Sequence, residues 1–344
     1  MILFDCDYNE GAHPRLMERL MQTNLEQTVG YGEDAYCAAA ADKIRKACGD
    51  ESLAVHFLVG GTQTNMTVID AALRSHQGAL CAVTGHINVH ETGAVESCGH
   101  KVLPLPGEDG KLTAAQVEEA YLAHKNSDSF EHMVQPKLVY ISNPTELGTI
   151  YSRHELESLY AVCKKYGLYL FMDGARLGYG LAAPDNELTL AEIAKNTDVF
   201  YIGGTKVGAL FGEAVVIRND ALKEDFRYFI KQKGGMLAKG RLLGVQFDAL
   251  FTDNLYMELA AHAIALAEKL RGAFERKGYG FVAPNRTNQI FVVMPDAHLE
   301  QLKSEFGFCY DHRADETHSV VRFCTSWATK EENVDALIVA VERL

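Results

Sequence analysis

Between residues 35 and 245, seven short apolar runs alternate with stretches of helical periodicity. The runs fall at 55–59, 80–84, 102–105, 138–141, 168–172, 199–202 and 214–217. Runs this short, apolar at successive positions, read as strands buried on both faces. Helices between such strands read as crossovers that cover a mostly parallel sheet. The pattern therefore predicts a large α/β unit. Residues 1–14 show no period and read as an irregular arm. Further on, 257–277 reads as one long helix, and 290–294 and 320–324 as strands. A last helix is expected from Thr329, with Glu332 three residues later as a capping box and Val334, Leu337, Ile338 and Val341 on one face. The expected division is an arm (1–14), a large domain (15–245) and a small α+β domain (246–344).

In open parallel sheets, ligands bind beyond the carboxyl ends of the strands. The chemically conspicuous residues of this chain fall there: Gly61, Thr62, His86, Asn143, Asp173 and Lys206. Asp173 closes Leu168-Tyr169-Leu170-Phe171-Met172, and a carboxylate drawn into a core needs a partner. A turn aspartate before Gly174, or an ion pair with Arg176, would satisfy the same pattern. Lys206 follows Val199–Ile202 in Gly203-Gly204-Thr205-Lys206, where the glycines leave room for a flat ligand. Its plain alternative is an exposed lysine in a glycine loop. The spacing of a nucleotide-binding P-loop is absent. A carboxylate and an amine at two neighbouring strand ends can hold the two ends of a pyridoxal phosphate ring: the amine through a Schiff base, the carboxylate by keeping the ring nitrogen protonated.

Three further segments fit such a site. Val59-Gly60-Gly61-Thr62 places glycines and a hydroxyl where a helix begins, which makes an anion cradle or simply a capped turn. His86 and His90 lie four apart with Glu91 adjacent, an order unlike the zinc-protease motif, and no third ligand is evident. No metal is expected; an imidazole stacked on an aromatic cofactor suits one of the pair. Arg322 interrupts Val320-Val321-Arg322-Phe323-Cys324, and its planar fork fits a substrate carboxylate unless it faces outward.

The net charge of −13 gives no electrostatic support to a nucleic-acid or membrane-surface role. No apolar run is long enough to span a bilayer, and the N-terminus has no basic region followed by an apolar stretch. Eight scattered cysteines with no Cys-x-x-Cys pair read as buried thiols in a reducing, cytoplasmic compartment.

Taken together, these pieces resemble the low-specificity threonine aldolase group, also called the β-eliminating lyases, of the fold-type-I pyridoxal phosphate enzymes. The resemblance runs from Phe4 to Pro14 and Val29-Gly30-Tyr31-Gly32-Glu33-Asp34, through Gly60-Gly61-Thr62-Gln63, His86 to Gly93, Met172-Asp173-Gly174-Ala175-Arg176 and Gly204-Thr205-Lys206, to Arg322-Phe323-Cys324-Thr325-Ser326-Trp327. It implies a mostly parallel sheet in a large domain with a small C-terminal domain. It also implies cleavage of L-threonine or related β-hydroxy-α-amino acids such as phenylserine to glycine and an aldehyde.

By position, the resemblance implies that Lys206 carries the cofactor, Asp173 pairs with its ring nitrogen and His86 stacks on the ring, and it implies the roles that follow. Gly61 and Thr62 bind the phosphate, with Lys239 or Arg241 of a neighbouring subunit adding a cation, and Thr205 and Arg176 also belong to the cofactor site. Arg176 and Arg322 hold the substrate carboxylate, with Tyr31 and Cys6 near it. His86, His90, Glu91 and a bound water are the candidate bases. Members are homodimers or homotetramers with active sites at subunit interfaces. Cys6 and Glu146 stand where many members carry serine and histidine. β-Elimination or transamination of a small amino acid would use the same cofactor contacts, and a non-catalytic binding protein could share the scaffold.

Overall fold

The computed structural model describes residues 1–344. All seven apolar runs form strands: β1 (Ala54–Leu58), β2 (Gln77–Ala82), β3 (Lys101–Leu105), β4 (Gln135–Ser142), β5 (Tyr169–Asp173), β6 (Val199–Gly203) and β7 (Glu213–Ile217). They make one sheet in the order β1-β7-β6-β5-β4-β2-β3. Every neighbouring pair is parallel except the two that involve β7, which runs antiparallel to β1 and to β6.

The continuous apolar character of the strands has the expected cause. Successive side chains enter opposite faces, and both faces are covered. Leu170 and Met172 of β5 join one core with Phe200 and Ile202 of β6. Phe171 joins the other with Val199 and Tyr201. The first core also takes in Leu156, Leu159 and Cys163 from the helix Arg153–Tyr166. The second is closed by Val68 and Ile69 from the helix Gly61–Ala72.

Two glycines set the spacing of β5 and β6 at their carboxyl ends. A Cβ on Gly174 would stand 1.9 Å from the Tyr201 carbonyl oxygen, and one on Gly203 would stand 2.3 Å from that of Ala175. No side chain fits at either position. The backbones close instead with a Gly203 N–H to Gly174 carbonyl bond of 2.9 Å. The segments carrying Asp173 and Lys206 are brought together by this approach.

The helix Leu255–Arg276 gives Leu255, Leu259 and Ile264 to the first core, and Leu266, Leu270 and Phe274 to a third. The third core lies against a four-stranded antiparallel sheet of β8 (Gly280–Phe281), β9 (Gln289–Pro295), β10 (Cys309–Arg313) and β11 (His318–Cys324), in the order β10-β11-β9-β8. The edge strand β10 is mostly exposed, and its polar Tyr310-Asp311-His312-Arg313 hid it from a reading by apolar runs.

Two expectations need correction. The N-terminal segment is not wholly irregular: Ile2–Leu3 pairs in parallel with Phe306–Gly307, and Phe4 is buried in the third core. The last helix spans Glu331–Arg343 and has no side-chain cap. The Thr329 hydroxyl accepts instead from the Ser326 N–H at 2.8 Å, which closes the preceding turn and leaves no capping box. Val334, Leu337 and Val341 are buried as the period predicts.

Candidate active site

A cavity of about 320 Å³ opens at the carboxyl edge of the large sheet. That is the size range of small-ligand sites. Gly61, Thr62, His86, Asp173, Arg176, Thr205 and Lys206 line it together with Tyr8, Ser142, Glu146, Tyr201 and Glu213. The segments after five strands converge there. β1 leads into Gly60-Gly61-Thr62, β2 into Gly85-His86, β4 into Glu146, β5 into Asp173 and β6 into Thr205-Lys206.

Asp173 is buried and accepts four hydrogen bonds. Oδ1 takes the Tyr201 hydroxyl at 2.5 Å and the Ala175 N–H at 3.0 Å; Oδ2 takes the Tyr140 hydroxyl at 2.6 Å and the Asn65 amide at 3.0 Å. Burial alone would push its carboxyl up. The His86 charge and the hydrogen bonds from Tyr140, Tyr201 and Ala175 outweigh that and hold it below the usual carboxylate range. Asp173 is thus a fixed negative charge in the cavity wall, as a protonated ring nitrogen requires. Its four lone-pair positions are already filled. A ring N–H pointing here takes the place of one existing donor, and the Tyr140 and Tyr201 hydroxyls are the two that can rotate away.

Lys206 lines the same cavity. Burial, reinforced by the Arg176 charge, pushes its amine below the usual lysine range against the pull of Asp7, Asp173 and Glu213. A larger neutral fraction makes it a better nucleophile toward a carbonyl. Glu213 sits beside it and accepts from the Thr205 hydroxyl at 2.9 Å and the Gly204 N–H at 3.2 Å. Burial raises its carboxyl. Its place follows from topology. The one antiparallel strand begins at the edge where the others end, so β7 contributes its first residue.

The helix Gly61–Ala72 begins at the cavity, and Gly60 before it makes no side-chain cap. Its first N–H groups and the Thr62 hydroxyl face outward as donors for an anion. A Cβ on Gly61 would come within 3.1 Å of the Tyr201 hydroxyl, so glycine keeps this cradle open. An anionic group at the helix start, an aromatic ring nitrogen at Asp173 and a carbonyl carbon at Lys206 are the three features of pyridoxal phosphate, and the residues fit it.

His86 is fixed by Glu91, which accepts from Nδ1 at 2.7 Å. Burial opposes a charged ring here, but the Glu91 hydrogen bond and the Asp173 charge raise the imidazole above its ordinary value. Glu91 itself is not placed to act as a base. Its side chain is wholly buried behind His86, and Oε1 is shared with the Asn65 amide at 2.7 Å. The residue orients the imidazole rather than meeting a ligand. His90 packs against His86 with ring centroids 5.6 Å apart and does not line the cavity.

Arg176 is anchored by Asp7, which accepts from Nε at 2.7 Å and from Nη2 at 3.0 Å. Arg322, on β11, donates from Nη2 to the Asp5 carbonyl at 2.9 Å and from Nη1 to the Gln289 amide oxygen at 3.1 Å. Its Nε is buried without an acceptor. Arg322 and Cys6 stand outside the cavity lining, and the Cys6 thiol donates to Asn9 Oδ1 at 3.0 Å. Tyr31 and Lys239 do not reach the cavity within this chain. Tyr31 lies beside Lys231, with the ammonium 5.2 Å from the ring centroid, and beside Arg227, which donates to its carbonyl.

Sequence reasoning missed Asp7, Asn65, Tyr140, Tyr201 and Glu213. The tyrosines sit inside apolar strand runs and read as core. Asp7 lies in a segment with no periodic signal.

The sheet order, the strand-end lysine and aspartate and the glycine-led helix define the class of fold-type-I pyridoxal phosphate enzymes. Within that class the chain belongs to the β-eliminating lyase family, whose model matches residues 7–297. It is 33% identical to the low-specificity L-threonine aldolase of Pseudomonas sp. (strain NCIMB 10558), over 97% of this chain and 95% of that one. It is 31% identical to the enzyme of the same name from Pseudomonas aeruginosa, with the same coverage. A solved structure of Leishmania major threonine aldolase superposes with a TM-score of 0.97 at 44% identity, covering 100% of this chain and 99% of that one. Thermus thermophilus aspartate aminotransferase shares the fold alone, with a TM-score of 0.74 at 14% identity.

Proposed function

We propose that this chain is a pyridoxal phosphate-dependent aldolase that cleaves the Cα–Cβ bond of L-threonine and related β-hydroxy-α-amino acids to glycine and an aldehyde. The observation that carries the reading is the placement of Lys206, Asp173 and the uncapped start of the helix Gly61–Ala72 around one cavity. The likeness to named threonine aldolases over nearly the whole chain supports the choice of reaction.

Lys206 would hold the cofactor's carbonyl carbon, Asp173 its ring nitrogen, His86 one ring face, and Gly61 and Thr62 its phosphate. When bound, the cofactor supplies an electron sink for the pair left on Cα. The chain's residues supply the geometry. Arg176, stiffened by Asp7, would offer its remaining N–H groups to a substrate carboxylate, with Arg322 outside the lining as the second candidate contact. Fixing that carboxylate sets which Cα bond stands perpendicular to the ring, and only that bond breaks readily. Asp173 keeps its negative charge in the working pH range and so holds a proton on the ring nitrogen.

A dimer or tetramer with cavities at its interfaces belongs to the same proposal. Exposed Met21, Leu25, Val29 and Tyr31 form apolar surface along the N-terminal part of the chain. A second copy would bring Tyr31 and Lys239 toward the cavity. The eight free cysteines support a reducing, cytoplasmic setting, and no helix is long and apolar enough to cross a membrane.

Purified protein loaded with pyridoxal phosphate and given L-threonine is expected to form glycine and acetaldehyde in equal amounts. Ammonia and a keto acid instead would make the chain an eliminase. Failure to take up the cofactor at all would leave a binding protein on this scaffold.

A further inference from the structure

Glu146 lines the same cavity as His86 and Lys206, and no step above uses it. Its two oxygens differ. Oε1 accepts from the Ser142 hydroxyl at 2.6 Å and from the His86 backbone N–H at 2.9 Å. Oε2 accepts nothing and stays open to the cavity. A carboxyl oxygen that already accepts two hydrogen bonds has no lone pair left for a proton. Any proton that Glu146 binds therefore sits on Oε2, on the ligand side.

We propose that Glu146 is a catalytic residue of the aldol cleavage, taking the proton of the substrate's β-hydroxyl on Oε2 as the Cα–Cβ bond opens. This rests on the aldolase reading given above. The step balances without another reactant. The β-O–H bond breaks and its proton passes to Oε2. The oxygen's pair closes the carbonyl of the departing aldehyde, and the Cα–Cβ pair stays with Cα. Cα then takes a proton from an exchangeable donor to give glycine, and Glu146 loses its proton to solvent.

The surroundings suit a base of this kind. Burial, with the Asp173 charge adding to it, raises the Glu146 carboxyl above the usual carboxylate range, while the Ser142 hydroxyl, its own backbone N–H and the His86 N–H restrain the rise. Tyr140, Tyr151 and Cys81 feel its charge and are themselves raised chiefly by burial, so they stay neutral. The basic side chains that line the cavity with it are Lys206, Arg176 and His86. A carboxylate raised above the ordinary range is a stronger base than an ordinary one. The other candidates are less well placed: Glu91 is sealed behind His86, and His90 lies outside the cavity.

The test separates bond cleavage from proton removal at Cα. Holoenzyme and its Glu146→Gln variant are assayed for threonine cleavage and for exchange of the glycine α-proton in heavy water. The proposal expects Glu146→Gln to lose about 10²–10⁴-fold in kcat for cleavage, the usual worth of a positioned base, with KM little changed. Glycine exchange should continue at the wild-type rate, because glycine has no β-hydroxyl. In the wild type, kcat/KM for threonine should fall as pH drops through the raised Glu146 value, and glycine exchange should lack that limb. This comparison needs no variant to fold. In cofactor-free protein labelled at the glutamate carboxyl carbons, one resonance missing from Glu146→Gln should titrate above the usual range. Near-wild-type cleavage by Glu146→Gln, or equal losses in cleavage and exchange, would overturn the assignment. A wild-type holoenzyme that exchanges glycine but leaves threonine intact would instead remove the aldolase reading, and this assignment with it.

Discussion

Asp7 and Arg176 meet across 169 positions of sequence, with Asp7 accepting from Nε at 2.7 Å and from Nη2 at 3.0 Å. The pair ties the N-terminal segment to the loop after β5, directly beneath the cavity. The Asp7 side chain is fully buried and also accepts from the Asn288 amide at 2.9 Å. Burial would raise its carboxyl, yet the Arg176 and Lys206 charges win and hold it low.

Asp7→Asn keeps the shape and removes the charge. Breaking one side of a buried pair leaves the other charge uncompensated, at a cost of about 3–5 kcal/mol. Denaturant unfolding of the variant should show a loss of that size. Because Arg176 is then free to turn, KM for the amino acid should rise more than kcat falls. A stable variant with unchanged KM would mean that Arg176 is positioned without Asp7.

Lys206→Ala removes the only lysine in the cavity lining. Threonine cleavage should vanish, together with the visible absorbance of lysine-bound cofactor. Borohydride reduction of the wild-type holoenzyme should mark Lys206 and no other lysine, read by peptide mass. A fully active Lys206→Ala protein would remove the cofactor assignment.

What the sequence made legible, and what it did not, follows from which interactions are local. Seven strands could be read because burial on both faces leaves an uninterrupted apolar run, a signal carried by consecutive residues. Asp173 and Lys206 could be read because each breaks such a run at its end. Asp7 could not be read, because its need for Arg176 is met by a residue far along the chain. Tyr140 and Tyr201 look like core residues until their hydroxyls are seen to converge on Asp173. Glu213 is the first residue of β7, and its place at the cavity depends on that strand being antiparallel, which no local pattern states. Glu91 was legible as a neighbour of His86 but not as a buried one.

Glu91→Gln tests the histidine. Glu91 supports the charged form of His86, so the imidazole pKa should fall in the variant, measured by the ring-proton titration of His86. The stability consequence has a definite sign. A histidine raised above its unfolded value contributes stability that is fully present below the unfolded pKa and is lost as pH rises through the folded value. Wild type and variant should therefore differ more in unfolding free energy at pH 5 than at a pH above the folded His86 value, where the ring is neutral in both. Equal differences at both pH values would show that Glu91 holds His86 by geometry alone.

The crowding at Asp173 gives the last prediction. Four donors fill its lone pairs in the protein alone, so a bound ring N–H displaces one of them. The backbone N–H of Ala175 and the amide of Asn65, itself held by Glu91, are fixed, whereas a phenol can rotate its hydrogen. Tyr140→Phe and Tyr201→Phe should each destabilise the cofactor-free protein by about 1.5–3 kcal/mol, the worth of a hydrogen bond to a charged group. In the loaded protein the phenol that yields its place has already lost that bond. Its Phe variant should then show a smaller loss than in the cofactor-free form, while the other shows the same loss in both. Measuring unfolding of the two variants with and without pyridoxal phosphate identifies which tyrosine gives way. Undiminished losses for both would place the ring nitrogen away from Asp173.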